Sequence, residues 1–347
     1  MIRALVVDDS AYNRVTITRM LESDARIRVV ASAVNGEEAI KLLVRHEPDV
    51  VILDLEMPVM DGFSFLRWVM QNRPAAVIVV SSKSSDRSVL KALELGALDF
   101  ISKPGGRVSP RLEEIQRDLV AKVLQIAQVR LDNLQRLAVE EHPATRPPAG
   151  GRCEAGVTLI AIGCSTGGPP ALQHLFENLP LLPIPVVVAQ HMPPTFTRLF
   201  ADRVNRLTDY AVKEAEHGEP LEGGAVYVAP GGMQMLVDRR DDVLRVAVTS
   251  ASADDLYAPS VDRLLLSASA SAGEGVVAVI LTGMGDDGAR GIRAVRDRGG
   301  RTIAESADTA IIFGMPNAAI KTGCVDLTLP LTEIPAALER LCTGPRE

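Results

Sequence analysis

Short apolar runs that alternate with helical patterns constrain the fold of this chain more than any other feature of its sequence. Short strands that are apolar throughout are buried on both faces, so the pattern predicts a parallel sheet covered by helices on each side. A longer helix is predicted to follow, from Pro110 to Leu137. The apolar runs in this first part are Ala4–Val7, Ile27–Ala33, Val50–Leu53, Ala76–Val80 and Phe100–Ser102.

A proline- and glycine-rich stretch, Val139–Gly156, interrupts the alternation, and a second alternation starts at Val157. The stretch has no apolar period, which is typical of an interdomain linker. Several short strands between Ala225 and Val248 lack helices between them, which predicts a small antiparallel excursion. We therefore expect two doubly wound α/β domains with parallel sheets. The expected bounds are residues 1–125 for the first domain, 126–156 for a linker helix and flexible linker, and 157–341 for the second domain.

Charge and composition exclude several classes of protein. Lys and Arg number 37 against 44 Asp and Glu, for a net charge of −7, so the basic surface of a nucleic-acid-binding protein is absent. No apolar run approaches a membrane span, and Asp8 and Asp9 come too early for a signal peptide. The four cysteines show no metal-binding or disulfide spacing. We expect a cytoplasmic protein that is not inserted in a membrane.

Three carboxylates are expected to meet at one edge of the first sheet. Asp8 and Asp9 end the first strand, and Asp54 ends the third. In a doubly wound sheet of order 2-1-3-4-5 these strands are neighbours at the switch point. Three such carboxylates repel one another unless a hard divalent cation such as Mg²⁺ binds them. The alternative reading is structural, because aspartate at a strand end is often a helix cap.

Other residues near the same edge fit the handling of a phosphoryl group. Lys103 follows the fifth strand and can pair with an anion, and Ser81 offers a hydroxyl at the end of the fourth strand. Phe100 lies one strand over and can swing inward behind Ser81. The set suits phosphorylation of Asp54, with Ser81, Phe100 and Lys103 as the residues of a two-state switch.

These residues resemble a response-regulator receiver domain, which has a flavodoxin-like fold. The resemblance covers about residues 1–125 and implies that Asp54 accepts a phosphoryl group from a histidine kinase, with Mg²⁺ at the site. The motifs that carry it are Val6-Val7-Asp8-Asp9-Ser10, Leu53-Asp54-Leu55-Glu56-Met57-Pro58, Asp61-Gly62 and Ser102-Lys103-Pro104.

The second domain opens with an apolar strand and then a glycine-rich turn that carries Ser165. A serine on a sharp strand-to-helix turn has an exposed hydroxyl, and the N–H groups at the start of the helix favour an oxyanion. A dinucleotide-binding loop is the rival interpretation. The spacing is not G-x-G-x-x-G, and no acidic ribose partner is evident about 20 residues on.

A histidine and two aspartates lie where partners of Ser165 are needed. His191 ends the next strand, and Asp286 and Asp287 follow a later strand, Val276–Thr282. All are predicted at the carboxyl edge of one sheet, which brings a nucleophile, a base and an orienting acid together. A histidine at a strand end is also often structural, and an aspartate before a helix is often a cap.

The second domain resembles the catalytic domain of the chemotaxis protein-glutamate methylesterases, the CheB family, over about residues 157–340. Matching motif by motif implies that Ser165 is the nucleophile, His191 the base, Asp287 the orienting acid and the Met284 N–H an oxyanion-hole donor. The motifs are Gly163-Cys164-Ser165-Thr166-Gly167-Gly168-Pro169, Gln190-His191-Met192-Pro193-Pro194, Ala229-Pro230-Gly231-Gly232, Pro259-Ser260-Val261-Asp262, Thr282-Gly283-Met284-Gly285-Asp286-Asp287-Gly288 and Ala304-Glu305-Ser306 with Phe313-Gly314-Met315-Pro316.

The resemblance also carries an activity and its partners. It implies that the protein hydrolyses glutamyl methyl esters, and deamidates glutamines, on chemoreceptor helices, with no cofactor for the ester chemistry. Our hypothesis is that the unphosphorylated receiver inhibits the esterase. The alternative is a receiver-controlled signalling scaffold in which the three residues are idle.

Three positions depart from the family pattern, namely Cys164, Gln234 and the pair Tyr257-Ala258. Cys164 stands where the family usually has alanine, so one small residue replaces another. The other two departures change groups near the expected mouth of the cleft, and we expect them to leave Ser165, His191 and Asp287 untouched.

Overall fold

The computed structural model describes residues 1–81, 86–102, 110–125, 156–252 and 254–343. These residues fall into two compact units, one within residues 1–125 and one within residues 156–343. Residues 126–155 of the linker predicted over 126–156 lie outside the described residues, and with them the distal part of the helix predicted to reach Leu137. Within the described ranges, no helix combines the length and the apolar character needed to cross a membrane.

The first unit is a five-stranded parallel sheet of order β2-β1-β3-β4-β5, with a described helix in each of its four connections and a fifth helix after β5. Because β1 pairs with β2 on one side and with β3 on the other, the carboxyl ends of β1 and β3 form the switch point. The strands are β1 Ile2–Val7, β2 Ile27–Ala33, β3 Val50–Asp54, β4 Ala76–Ser81 and β5 Asp99–Ser102. The helices are α1 Ala11–Leu21, α2 Gly36–His46, α3 Gly62–Asn72, α4 Asp86–Glu94 and α5 Pro110–Gln125.

Polar caps fix the loops from strand to helix in the first unit. The side chains of Ser10, Asn35 and Asp61 accept hydrogen bonds from backbone N–H groups in the first turns of α1, α2 and α3. Such caps satisfy N–H groups that have no partner within the helix. The caps therefore fix the loops that leave the carboxyl ends of β1, β2 and β3. These loops border the edge of the sheet where the acidic residues lie.

The second unit is a seven-stranded parallel sheet of order β14-β13-β12-β6-β7-β9-β8, with a separate antiparallel hairpin, β10-β11. Its strands are β6 Leu159–Cys164, β7 Val186–Gln190, β8 Ala211–Glu214, β9 Ala225–Val228, β10 Met233–Arg240, β11 Val243–Ser250, β12 Val276–Ile280, β13 Arg301–Glu305 and β14 Leu327–Leu329. Its α-helices are α6 Gly168–Asn178, α7 Pro194–Val204, α8 Val261–Ala272, α9 Ala289–Asp297, α10 Met315–Lys321 and α11 Ile334–Thr343.

The predicted fold class, two α/β units with parallel sheets and a small antiparallel excursion, is confirmed. Three details differ from the sequence prediction. Ala225–Val228 belongs to the parallel sheet, and only the next two strands form the hairpin. The edge strands β8 and β14 and the short helix α10 were not predicted. Edge strands are short and partly exposed, so they lack the continuous apolar run that marks β6 or β12.

Two features of the second sheet determine how the segments at its carboxyl edge are placed. Strand β6 lies between β7 and β12, so three successive carboxyl ends lie side by side. All three strands are fully buried. A Cβ on Gly163 would come within 2.1 Å of Val261, so glycine lets the start of α8 pack directly on β6.

Candidate active site and phosphorylation site

The acidic residues of the first unit meet as expected. One carboxylate oxygen from each of Asp8, Asp9 and Asp54 lies within 4.8 Å of the others. Asp8 and Asp54 are almost fully buried, while Asp9 is exposed. Ser10 N–H and Asn13 Nδ2 donate to the Asp8 carboxylate at 2.8 and 3.2 Å. Three converging carboxylates, two of them out of water, are a donor set that fits a hard divalent cation.

The other residues predicted at this pocket are Phe100, Ser81 and Lys103. Phe100 is buried, 5% exposed, and pairs with Val79 across the sheet. The backbone of Ser81 pairs with Ser102 at the end of β4, but the Ser81 side chain is not described. Lys103 lies outside the described residues. The switch role of these three residues stays a prediction.

Ser165 lies in the turn between β6 and α6. Gly167 in this turn has a φ of 79°, a left-handed value that a side chain disfavours, and it is the N-cap of α6. Ser165 is only 8% exposed as a whole residue, so most of its surface is shielded from water. The cause is close packing: a Cβ on Gly283 would meet Met315 Sδ at 2.4 Å and Ser165 Cβ at 2.9 Å.

His191 follows β7 and is tied to the strand that carries Ser165. The backbone N–H of His191 donates to the Cys164 carbonyl at 3.1 Å. Its Nε2 lies 2.8 Å from Asp287 Oδ2, which leaves Nδ1 as the other ring nitrogen. The Ser165 hydroxyl makes no hydrogen bond to the ring within the described part of the chain. Hydrogen bonds of this kind often form only when substrate is bound.

Asp287, and not the exposed Asp286, faces His191. Its carboxylate also accepts hydrogen bonds from Val261 N and Asp262 N, both at 2.8 Å, and from Ser260 Oγ at 3.0 Å. The Asp287 carboxylate therefore caps α8 as well as orienting the imidazole. Burial alone would raise its pKa, but the hydrogen bond and charge of His191 and the two N–H groups outweigh burial, so the pKa is lowered.

The Asp262 carboxylate in turn caps the helix that follows the loop carrying Asp287. Its Oδ1 accepts hydrogen bonds from Gly288 N at 3.0 Å and Gly291 N at 2.8 Å, at the start of α9. Arg290 Nε donates to its other oxygen at 2.7 Å. The starts of α8 and α9 are thus capped reciprocally by two aspartates, which holds Asp287 in place. Asp262 belongs to the motif Pro259-Ser260-Val261-Asp262, but the sequence pattern alone indicated no role for it.

The peptide between Gly283 and Met284 is held in one orientation. The Gly283 carbonyl accepts from Gly314 N at 3.1 Å and Met315 N at 2.8 Å. In a trans peptide the N–H points opposite to the carbonyl. The Met284 N–H therefore points away from Gly314 and Met315, and it donates to no acceptor among the described residues. An oriented donor without a partner beside Ser165 is what an oxyanion hole needs.

Glu305 is a fully buried carboxylate that binds the start of the loop containing Gly283 and Met284. Its Oε2 accepts from Thr282 N at 2.7 Å, and its Oε1 accepts from Thr309 Oγ1 at 2.9 Å. Thr282 in turn donates through Oγ1 to the Thr166 carbonyl at 3.1 Å and accepts from Ile312 N at 2.9 Å. Burial raises the pKa of Glu305 to about 7, against the hydrogen bonds from Thr282 and Thr309.

This raised pKa predicts how stability changes with pH. Glu305 has a pKa of about 7 in the folded protein and 4.5 as its ordinary value, so between these values the folded state binds more protons. Its contribution to stability therefore falls as the pH rises from about 4.5 to 7. We expect Glu305→Gln to remove this dependence, which amounts to about 3 kcal/mol over the window.

The measurement is urea unfolding of both proteins at several pH values, followed by far-UV circular dichroism. The single tryptophan, Trp68, lies in the first unit, so its fluorescence identifies the transition of that unit. Glu274→Gln, at an exposed position, is the matched control and should follow wild type. Parallel curves for wild type and Glu305→Gln would contradict the expectation.

The departures from the family pattern lie closer to the site than the sequence predicted. The expectation that Tyr257 leaves the three residues untouched is wrong, because its ring stacks on that of His191. Gln234 is fully buried, and its amide bonds the backbone of Tyr257 and Ser260. Tyr257 lies in a loop, where no periodic pattern predicts what its side chain contacts. The one sequence signal for it is its position two residues before the motif that starts at Pro259.

Comparison with known families divides the chain as its fold does. The profile described as "CheB methylesterase" matches residues 160–338, and that described as "Response regulator receiver domain" matches residues 4–110. Among solved structures, the chain is similar to the Thermotoga maritima CheB methylesterase catalytic domain. That similarity has a TM-score of 0.52 and 39% identity, and covers 53% of this chain and 98% of the other.

Curated relatives match over nearly the whole chain. A Geobacter sulfurreducens protein named "Protein-glutamate methylesterase/protein-glutamine glutaminase 3" is 43% identical, with 98% of this chain and 97% of the relative covered. A Myxococcus xanthus protein named "Protein-glutamate methylesterase/protein-glutamine glutaminase 1" is 45% identical, with the same coverage of both chains. The chain is thus similar along its full length to proteins in which both parts occur together.

Proposed function

The chain belongs to the CheB methylesterase family and carries a receiver domain, and on that premise we propose that it is a phosphorylation-regulated protein-glutamate methylesterase and protein-glutamine glutaminase. The substrates are glutamyl methyl esters and glutamines on chemoreceptor helices. The observation that carries the proposal is the 2.8 Å hydrogen bond between His191 Nε2 and Asp287, beside the strand that presents Ser165. A signalling scaffold with idle residues is not favoured, because the curated relatives are named as enzymes.

The first chemical step makes an acyl-enzyme. His191 takes the proton of the Ser165 hydroxyl, and Oγ bonds to the ester carbonyl carbon. Asp287 holds the imidazole in one tautomer and stabilises the imidazolium. The Met284 N–H donates to the oxyanion, and one such donor contributes about 3 kcal/mol. The carbon–oxygen bond to the methoxy group then breaks, and methanol leaves with the proton held by His191.

The second step restores the enzyme. Water gives a proton to His191 and attacks the acyl-serine, the bond to Oγ breaks, and Oγ recovers the proton. The product is the carboxylic acid of glutamate, which releases its remaining proton to solvent and becomes a carboxylate. A glutamine substrate follows the same path with ammonia as the leaving group, so deamidation uses the same three residues. The proposal requires no cofactor for this chemistry.

The first unit supplies the control. A histidine kinase is the proposed donor: the Asp54 carboxylate bonds to phosphorus, and the phosphorus–nitrogen bond of the phosphohistidine breaks. Asp8, Asp9 and Asp54 would hold Mg²⁺, which when bound offsets the charge of the carboxylates and the phosphoryl group. In this proposal Lys103 pairs with the phosphoryl group, and Ser81 and Phe100 change position in response.

We expect Asp54→Asn to abolish activation by a small phosphoryl donor such as acetyl phosphate. In wild type the donor, with Mg²⁺, should raise the rate of methanol release about tenfold, which corresponds to a coupling of about 1.4 kcal/mol between the sites. Removal of Mg²⁺ with a chelator should have the same effect as the substitution. The measurement is methanol release from methylated chemoreceptor membranes with and without the donor.

Asp24→Asn is the matched control, since the Asp24 side chain is partly exposed and pairs only with Arg26 among the described residues. This variant should respond like wild type. Equal activation of wild type and Asp54→Asn would show that the donor acts elsewhere and would overturn the assignment of Asp54.

A further inference from the structure

One face of the His191 imidazole is covered by the ring of Tyr257. The two ring centroids are 4.4 Å apart and the planes are inclined by only 6°. Tyr257 itself is half-buried, so the pair is partly shielded from water. Parallel aromatic rings at this distance attract one another, and a cation on the face of a tyrosine ring is stabilised by it. His191 becomes such a cation whenever it accepts the Ser165 proton.

The hydroxyl of Tyr257 reaches the loop that carries Met284. A Cβ built on Gly285 would lie 2.9 Å from Tyr257 Oη, so the hydroxyl approaches this backbone closely because glycine has no side chain. Gly285 also has a φ of 82°, which favours glycine. The tyrosine side chain therefore extends from the base to the neighbour of the oxyanion-hole donor.

The backbone around Tyr257 is fixed by buried groups. Gln234 Nε2 donates to the Tyr257 carbonyl at 2.7 Å, and Gln234 Oε1 accepts from Ser260 N at 2.8 Å. Gly232 N donates to the Ala258 carbonyl at 2.9 Å. A ring on such an anchored segment loses little entropy when it packs against its neighbour.

Burial and the nearby negative charges keep the phenol neutral. Burial first, and then the carboxylates of Asp287 and Asp286, raise the pKa of Tyr257 above its ordinary value. The ring thus adds no negative charge beside the imidazole in the neutral range, and it acts through its face and its shape.

We propose that Tyr257 is a positioning residue for His191: its ring holds the imidazole in the plane that faces Asp287 and stabilises the imidazolium formed during acyl transfer. This inference rests on the proposed esterase function and deepens it. Tyr257 does not exchange a proton with substrate in this account. The ring, rather than the hydroxyl, carries the effect.

The test compares Tyr257→Phe, which keeps the ring, with Tyr257→Leu, which removes it. We expect the leucine variant to lose on the order of tenfold in kcat with KM unchanged, because the stacking acts on the charged state of the base. The phenylalanine variant should stay within about twofold of wild type. Leu256→Ala is the matched control, since Leu256 is adjacent and 91% exposed, and its kcat should equal that of wild type.

A second measurement does not depend on turnover. The ring resonances of His191, identified by their absence in His191→Gln, should carry a ring-current shift in wild type and Tyr257→Phe that Tyr257→Leu lacks. Wild-type kcat in the leucine variant, an equal loss in the phenylalanine variant, or no ring-current shift would overturn the inference. No methanol release by wild type with an intact ring-current shift would instead count against the proposed function alone. If the leucine variant does not fold, the phenylalanine variant and the wild-type spectrum still decide.

Discussion

Replacing Asp287 by asparagine is expected to lower the rate of ester hydrolysis by about 10⁴-fold. The amide cannot accept from His191 and also from Val261 N, Asp262 N and Ser260 as the carboxylate does. Its NH₂ group must face one of these donors, so the imidazole loses its orientation and its tautomer. The measurement is kcat for methanol release from methylated chemoreceptor membranes.

The same substitution should also lower stability, because Asp287 caps α8. We expect a loss of about 1–3 kcal/mol in the free energy of unfolding of the second unit. Asp286→Asn is the matched control: it makes the same change one residue earlier, at an exposed side chain. It should keep wild-type stability within about 0.5 kcal/mol and wild-type kcat. Equal effects of the two substitutions would contradict the dual role given to Asp287.

Replacing Ser165 by alanine should abolish demethylation and deamidation together, with a loss on the order of 10⁶-fold. Both reactions require the same acyl-serine, so one substitution removes both. The hydroxyl makes no hydrogen bond within the described residues, so its removal should change stability by less than about 1 kcal/mol. Mass spectrometry of receptor peptides distinguishes the two reactions in one experiment. Ser269→Ala, which removes a buried helix hydroxyl, is the matched control and should retain both.

Much of the candidate site could be predicted because the positions follow strands. Ser165, His191 and Asp287 come after three buried, mostly apolar strands, and the carboxyl ends of parallel strands share an edge. The same logic brought Asp8, Asp9 and Asp54 together. Strand ends follow from apolar patterning, which a single sequence contains, and the order of the first sheet follows from its doubly wound fold class.

The groups that hold these residues could not be predicted in the same way. The choice between Asp286 and Asp287 rested on resemblance, because a strand pattern does not show which of two adjacent side chains turns inward. Glu305 and Thr282 are polar residues in a buried network, and burial of a polar group depends on partners distant in sequence. Tyr257 lies in a loop, where no periodicity shows what its ring contacts.

The most direct test of the account is methanol release from methylated chemoreceptor membranes, with Mg²⁺ and acetyl phosphate present, by wild type and Ser165→Ala side by side. We predict steady release by wild type, and for the variant release no faster than from membranes alone. Release that persists in folded Ser165→Ala would remove Ser165 as the nucleophile. No release by folded wild-type protein would contradict the proposal that this chain demethylates chemoreceptors.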